Sequence, residues 1–114
     1  ILEKIMKKIN LAITGGFGRM GKQLIKSSKK NKNFKLVSIT ENKKMNKKVS
    51  GLIPQLNSEF AFKNADMIID FTIPKCTLEV LKIASKLKKR VVIGTTGFSK
   101  KEEKLIKKYS KKIP

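Results

Sequence analysis

The sequence predicts an α/β fold, a parallel sheet with helices on both faces, and three observations predict it. Four short runs, residues 9–13, 34–39, 67–71 and 91–93, are nearly continuous in apolar residues, as strands covered on both faces require. The segments between them carry apolar residues at helical spacing. Residues 14–21 read T-G-G-F-G-R-M-G between the first run and a helix-like stretch, so the chain breaks from a strand into glycines and then into a helix.

Each element has its own reason. The helix after the glycines spans Arg19 to Lys30, with Met20, Leu24, Ile25 and Ser28 on one face and mostly basic residues elsewhere. Strand, glycine turn, helix and strand within the first 40 residues make one right-handed βαβ unit, which the remainder repeats. Residues 42–58 are polar and Lys-rich, hold Gly51 and Pro54 and show no period, which predicts a connection with at most a short turn of helix. From about 75 to 88, Leu78, Leu81, Ala84 and Leu87 recur at helical spacing while Lys82, Lys86 and Lys89 point away. Ser99-Lys100-Lys101-Glu102 announces a last helix: the Ser99 hydroxyl can accept from the third helical amide and Glu102 can reach back. That helix should run to about Ser110, with Leu105, Ile106 and Tyr109 toward the core. Residues 111–114 stand where a further strand would start, so the sheet is expected to be incomplete.

A length of 114 residues allows one domain with a single modest core. The lone cysteine, Cys76, excludes an internal disulfide framework and fits a reducing compartment. Apolar runs of a few residues, and Lys4, Lys7 and Lys8 at the start, give neither a membrane span nor a signal-peptide core, and a cytoplasmic location is expected. The formal charge of +20 raises nucleic acid as a partner. Against it, only Arg19 and Arg90 of the 28 basic residues are arginine, and the lysines are spread with no stripe interleaved with aromatics. Lys, Ile and Asn share A/T-rich codons, so genome composition accounts for the charge and no specific nucleic-acid partner is expected.

The glycines carry the chemistry. Gly16-Phe17-Gly18-Arg19-Met20-Gly21 satisfies G-x-G-x-x-G, and Gly15 adds a second spacing, G-x-x-G-x-x-G. Such a turn lets backbone amides approach a pyrophosphate and lets the helix pack close to the strand, the role given to Gly21. Arg19 and Lys22 stand beside the loop, where they can assist electrostatically or simply be solvated. Glu41 follows Gly21 by 20 residues, just past the second run, where a carboxylate can accept both hydroxyls of an adenosine ribose. Alone it would be an exposed charge in a loop; with the glycines the ribose role is preferred. Asp70-Phe71-Thr72 ends the third run and Gly94-Thr95-Thr96-Gly97 the fourth. In an open parallel sheet these loops converge with the glycine turn on one crevice, where Thr95 and Thr96 can meet a nicotinamide amide or ribose. Ordinary turn chemistry is the alternative for G-T-T-G. Cys76 has no His to pair with, and Asp66 and Asp70 have no Cys or His partners, so a structural thiol and no metal site are expected.

Together these strings resemble the N-terminal cofactor-binding domain of the 4-hydroxy-tetrahydrodipicolinate reductases (dihydrodipicolinate reductases) of bacterial lysine synthesis. The resemblance runs from about Met6 to Pro114 through G-x-x-G-R-M-G, an acidic residue after strand two, D-F-T and V-I-G-T-T-G-F. It implies a Rossmann-like domain over residues 6–114, truncated before a substrate domain, with residues 1–5 an extraneous leader. It implies that Gly15, Gly16, Phe17, Gly18, Arg19 and Met20 hold the pyrophosphate, Glu41 the adenosine ribose, and Gly94, Thr95 and Thr96 the nicotinamide side. The family often places basic residues after the ribose carboxylate and after D-F-T to receive the 2′-phosphate of NADPH. Asn42 and Ile73 stand there, which leans toward NADH, with Lys43 and Lys44 as remaining point charges.

Family members reduce a cyclic imine-like dicarboxylate by hydride transfer, using a His-rich, Lys-bearing segment of a second domain, through which they assemble as homo-oligomers, a tetramer by resemblance. This chain has no His, so no catalytic residue is assigned within it. The chain alone is expected to bind NADH weakly and to turn nothing over. Two other readings stay open: another two-domain Rossmann dehydrogenase of amino-acid metabolism, such as one acting on a semialdehyde, and a basic nucleic-acid-binding module.

Overall fold

The structure, a computed structural model, describes residues 8–15, 19–41, 48, 51–95 and 97–113. Strands β1 (Ile9–Thr14), β2 (Phe34–Thr40), β3 (Met67–Asp70) and β4 (Arg90–Ile93) form one sheet in the order β2-β1-β3-β4, with every pair parallel. Helices α1 (Arg19–Lys30), α2 (Glu59–Phe62), α3 (Pro74–Leu87) and α4 (Lys100–Ser110) connect and flank the strands. The chain runs outward to β2, returns to the other side of β1 and then continues through β4. The sheet therefore reverses direction between β1 and β3, and in such sheets a crevice opens beyond the carboxyl ends of those two strands.

Burial explains the strand composition. Leu11, Ala12 and Ile13 are all buried, because β1 is central and both its faces are covered. One face packs Leu11, Ile13, Ile25 and Ile39 beneath α1, and the other packs Ala12, Ala61, Phe62, Ala65, Ile68, Val80 and Ala84 beneath α2 and α3. At the edge, β4 departs from two-sided burial: Arg90 is exposed and Val92 is 49% exposed on the face shared with Ile69.

Within the helices the apolar face is rotated from the sequence expectation at two places. Met20 is 50% exposed, and the inward stripe of α1 is Gly21, Leu24, Ile25 and Ser28, because Gly21 lies one helical turn before Leu24 and Ile25 and permits close packing. In α3 the buried positions are Thr77, Val80, Leu81 and Ala84, whereas Leu78 and Leu87 are only partly buried. Thr77 is drawn inward by a hydrogen bond that the hydropathy pattern does not carry.

The ends follow local chemistry. Pro74 opens α3, and the chain leaves it through Lys88 at φ 56°, with the Lys89 amide donating to the Ala84 carbonyl at 2.9 Å. The capping box of α4 is complete: the Glu102 amide donates to Ser99 Oγ at 3.1 Å and the Ser99 amide to Glu102 Oε1 at 2.8 Å. Leu105, Ile106 and Tyr109 are half-buried, and α4 packs on α3. The connection after β2 returns to the sheet through Gln55, whose amide donates to the Ile39 carbonyl at 2.9 Å and whose carbonyl accepts from the Glu41 amide at 2.8 Å. It then enters the one-turn helix α2, capped by Ser58.

Candidate cofactor site at the strand ends

Three loops meet beyond the strands. Gly15 follows β1 at φ +76°, a left-handed conformation that favours glycine, and a Cβ there would lie 2.4 Å from the Phe71 carbonyl oxygen. Gly94 follows β4, and a Cβ there would lie 1.9 Å from the Phe71 ring. The glycines thus let the loops after β1 and β4 close upon the loop after β3. The Gly15 amide donates to the Thr40 carbonyl at 2.9 Å and the Gly94 amide to the Asp70 carbonyl at 2.8 Å, so both turns are tied to neighbouring strands.

Beneath them lies Asp70, fully buried, accepting hydrogen bonds from the hydroxyls of Thr14, Thr72, Thr77 and Thr95. Read from sequence, Asp70 and Thr72 stand at a strand end with no role for the carboxylate, and Thr14 and Thr77 attract no notice. The available signal is a carboxylate ending an apolar strand, which requires buried donors. Thr95, assigned to the nicotinamide side, directs its hydroxyl onto Asp70 Oδ2 at 3.1 Å. Asp66 serves elsewhere, accepting from the Asn10 amide at 2.8 Å at the opposite end of the sheet.

A cleft of about 440 Å³ adjoins this cluster, lined by Glu41, Leu56, Asn57, Ile73, Lys75, Cys76 and Glu79. Its size lies within the usual range of ligand pockets. Thr72 belongs to the Asp70 network and Ile73 to the cleft, so the two regions are contiguous through consecutive residues. Glu41 lies immediately after β2, where the glycine spacing placed it, and is partly buried. Ile73 is 56% exposed on the rim. Burial, and then the negative charges of Glu79, Asp70 and Glu41, push the Cys76 thiol above its ordinary range, with Lys75 opposing. Asn57 Oδ1 is a buried acceptor with no hydrogen-bond partner among the described residues.

The remaining sequence-predicted positions divide plainly. Met20 is exposed in the first turn of α1, next to Arg19, whose backbone opens that helix. Gly16, Phe17, Gly18 and Thr96, together with Asn42, Lys43 and Lys44, lie outside the described residues, as does the leader at residues 1–5. Among the described residues no three His, Cys, Asp or Glu side chains stand together as a metal site would need. Among the same residues no helix is long and apolar enough to cross a membrane.

Comparison with known proteins agrees with the geometry. The family described as "Dihydrodipicolinate reductase, N-terminus" matches residues 9–114. The 4-hydroxy-tetrahydrodipicolinate reductase of Pelagibacter ubique (strain HTCC1062) is 70% identical over 109 residues, covering 96% of this chain and 42% of that protein. The enzyme of the same name from Buchnera aphidicola subsp. Acyrthosiphon pisum (strain 5A) is 43% identical over 118 residues, covering 94% of this chain and 44% of its own length. The chain thus spans less than half the length of these curated relatives. In solved structures, dipicolinate-bound dihydrodipicolinate reductase from Paenisporosarcina sp. TG-14 superposes with a TM-score of 0.73 at 24% identity, over 90% of this chain and 43% of that one. D-galactose-1-dehydrogenase from Rhizobium etli superposes with a TM-score of 0.72 at 26% identity, over 94% of this chain and 35% of that one. The sheet is Rossmann-like, and the chain belongs to the dihydrodipicolinate reductase family, whose N-terminal domain it matches.

Proposed function

We propose that this chain is the cofactor-binding part of an NAD(P)H-dependent 4-hydroxy-tetrahydrodipicolinate reductase, an enzyme that transfers hydride to 4-hydroxy-tetrahydrodipicolinate and gives tetrahydrodipicolinate in lysine (diaminopimelate) synthesis. The observation that carries the reading is convergence: the loops after β1, β3 and β4 close on one another at the switch point, next to a cleft holding Glu41. The bound nicotinamide would supply the hydride. The residues of this chain bind and orient the dinucleotide.

In this assignment Gly15 to Met20 receive the pyrophosphate at the start of α1, where a helix N-terminus and its dipole favour an anion. Glu41 accepts the adenosine ribose hydroxyls in the cleft. Asn57 Oδ1 supplies a fit test there, since a buried acceptor without a partner among the described residues suits a hydroxyl or amine of a bound adenosine. Gly94, Thr95 and Thr96 face the nicotinamide half. Among the described residues the cleft is lined by Glu41, Glu79 and Lys75, with Ile73 on its rim, a balance that supports NADH over the 2′-phosphate of NADPH.

The cyclic dicarboxylate and the proton donor belong to a second domain, since this chain has no His. Assembly as a homo-oligomer, a tetramer, and a cytoplasmic location are part of the same proposal, with no specific nucleic-acid partner. The activity is tested by following substrate-dependent NADH oxidation by the protein encoded by the whole reading frame. Oxidation that requires 4-hydroxy-tetrahydrodipicolinate is expected; a folded protein that oxidises NADH only with another carbonyl or imine substrate overturns the assignment.

A further inference from the structure

Asp70 is 0% exposed, yet four hydroxyls from four parts of the fold converge on it. Oδ1 accepts from Thr14 at the end of β1 and from Thr72 at 2.9 Å; Oδ2 accepts from Thr77 in α3 and from Thr95 after β4 at 3.1 Å. Thr95 Oγ1 in turn accepts from the Thr72 backbone amide at 3.1 Å. A carboxylate has four acceptor sites and no proton to give, while each hydroxyl has one proton. Thr77 Oγ1 also lies 2.9 Å from Thr95 Oγ1 and 3.3 Å from Thr72 Oγ1, so the hydroxyls form one connected cluster around the carboxylate, which draws the hydroxyl protons of Thr72 and Thr95 inward.

We propose that Asp70 is a positioning residue for the dinucleotide, tying the end of β1 to the loops after β3 and β4 as one rigid floor beneath its nicotinamide half. The proposal rests on the reading that these strand ends hold a dinucleotide. Asp70 acts through other residues, because it is buried and the four hydroxyls already occupy its oxygens. With its hydroxyl proton consumed, Thr95 can offer a ligand a donor only from its backbone, whose placement the network fixes, while the Thr72 amide is itself spent on Thr95 Oγ1. Asn at this position would replace two acceptor sites with two donors, leaving two hydroxyls facing N–H groups. Thr77 is the cleanest probe, since it is also 0% exposed and Val matches its shape without the hydroxyl.

The test titrates the wild-type chain, Asp70→Asn, Thr77→Val and Thr77→Ser with NADH and, separately, with adenosine monophosphate, alongside thermal melts. Asp70→Asn and Thr77→Val should weaken NADH about tenfold while changing adenosine monophosphate binding less than about twofold, the scale of one hydrogen bond to a charged group. Thr77→Ser should restore NADH affinity. Wild-type NADH affinity in folded Thr77→Val overturns the positioning role and leaves the dinucleotide reading intact, as does equal weakening of both ligands, which marks a general structural effect. If Asp70→Asn does not fold, the Thr77 pair decides alone. A folded wild-type chain that binds neither ligand removes the dinucleotide reading and this role with it.

Discussion

A buried carboxylate is costly unless its acceptor sites are filled, and Asp70 fills them with hydroxyls contributed from Thr14 to Thr95, a span no local sequence window covers. This is why the network is not legible in the sequence whereas Glu41 is. Glu41 follows from a fixed spacing to the glycines, while Thr77 looks like any polar residue in a helix until Asp70 is placed beside it. Met20 misleads for the related reason that Gly21, which shows no hydropathy, occupies the inward position. Cys76 reports on the neighbouring cleft. Its thiol is held above the ordinary value by burial and then by Glu79, so thiolate is scarce near neutral pH. Alkylation by iodoacetamide should accordingly rise with a midpoint above that of a free thiol, and saturating NADH should slow it several-fold at fixed pH. An unchanged rate with NADH bound would place the adenosine half elsewhere. The same shift has a stability sign: a thiol raised in the folded state contributes stability below its unfolded value, which is lost as pH rises through the folded one.

Elements are readable where their signals are local. The capping box of α4 is set by four consecutive residues, and both of its hydrogen bonds are present. The one-turn helix α2 has no period to detect, yet it brings Phe62 to complete burial beneath the sheet. The C-terminal end of α3 is equally hidden, since Lys88 adopts the left-handed conformation at φ 56° where a glycine is usual. A Cβ in that conformation costs about 1 kcal/mol. Lys88→Gly should therefore stabilise the chain by roughly that amount, less the extra backbone entropy of glycine, read as a higher Tm in thermal denaturation. A lower Tm would mean that the Lys88 side chain contributes more than its backbone costs.

At the scale of the molecule, handedness and the βαβ order lead to a parallel sheet, and the strand order β2-β1-β3-β4 puts its switch point where the glycine motif lies. Two-sided burial does not hold at β4, an edge strand with one open face, because a run of three apolar residues looks the same at an edge as in the middle. The exposed ion pair Lys86–Glu59 adds little against a net charge of +20, and that excess instead attracts an anionic ligand from a distance. The measurement that bears most directly on the cofactor assignment is calorimetric titration of the folded chain with NADH and NADPH, repeated with Glu41→Ala. One saturable site is predicted, tighter for NADH than for NADPH and weakened about tenfold by loss of the ribose hydrogen bonds in Glu41→Ala. A folded chain that binds neither dinucleotide, or binds NADH equally well without Glu41, would contradict it.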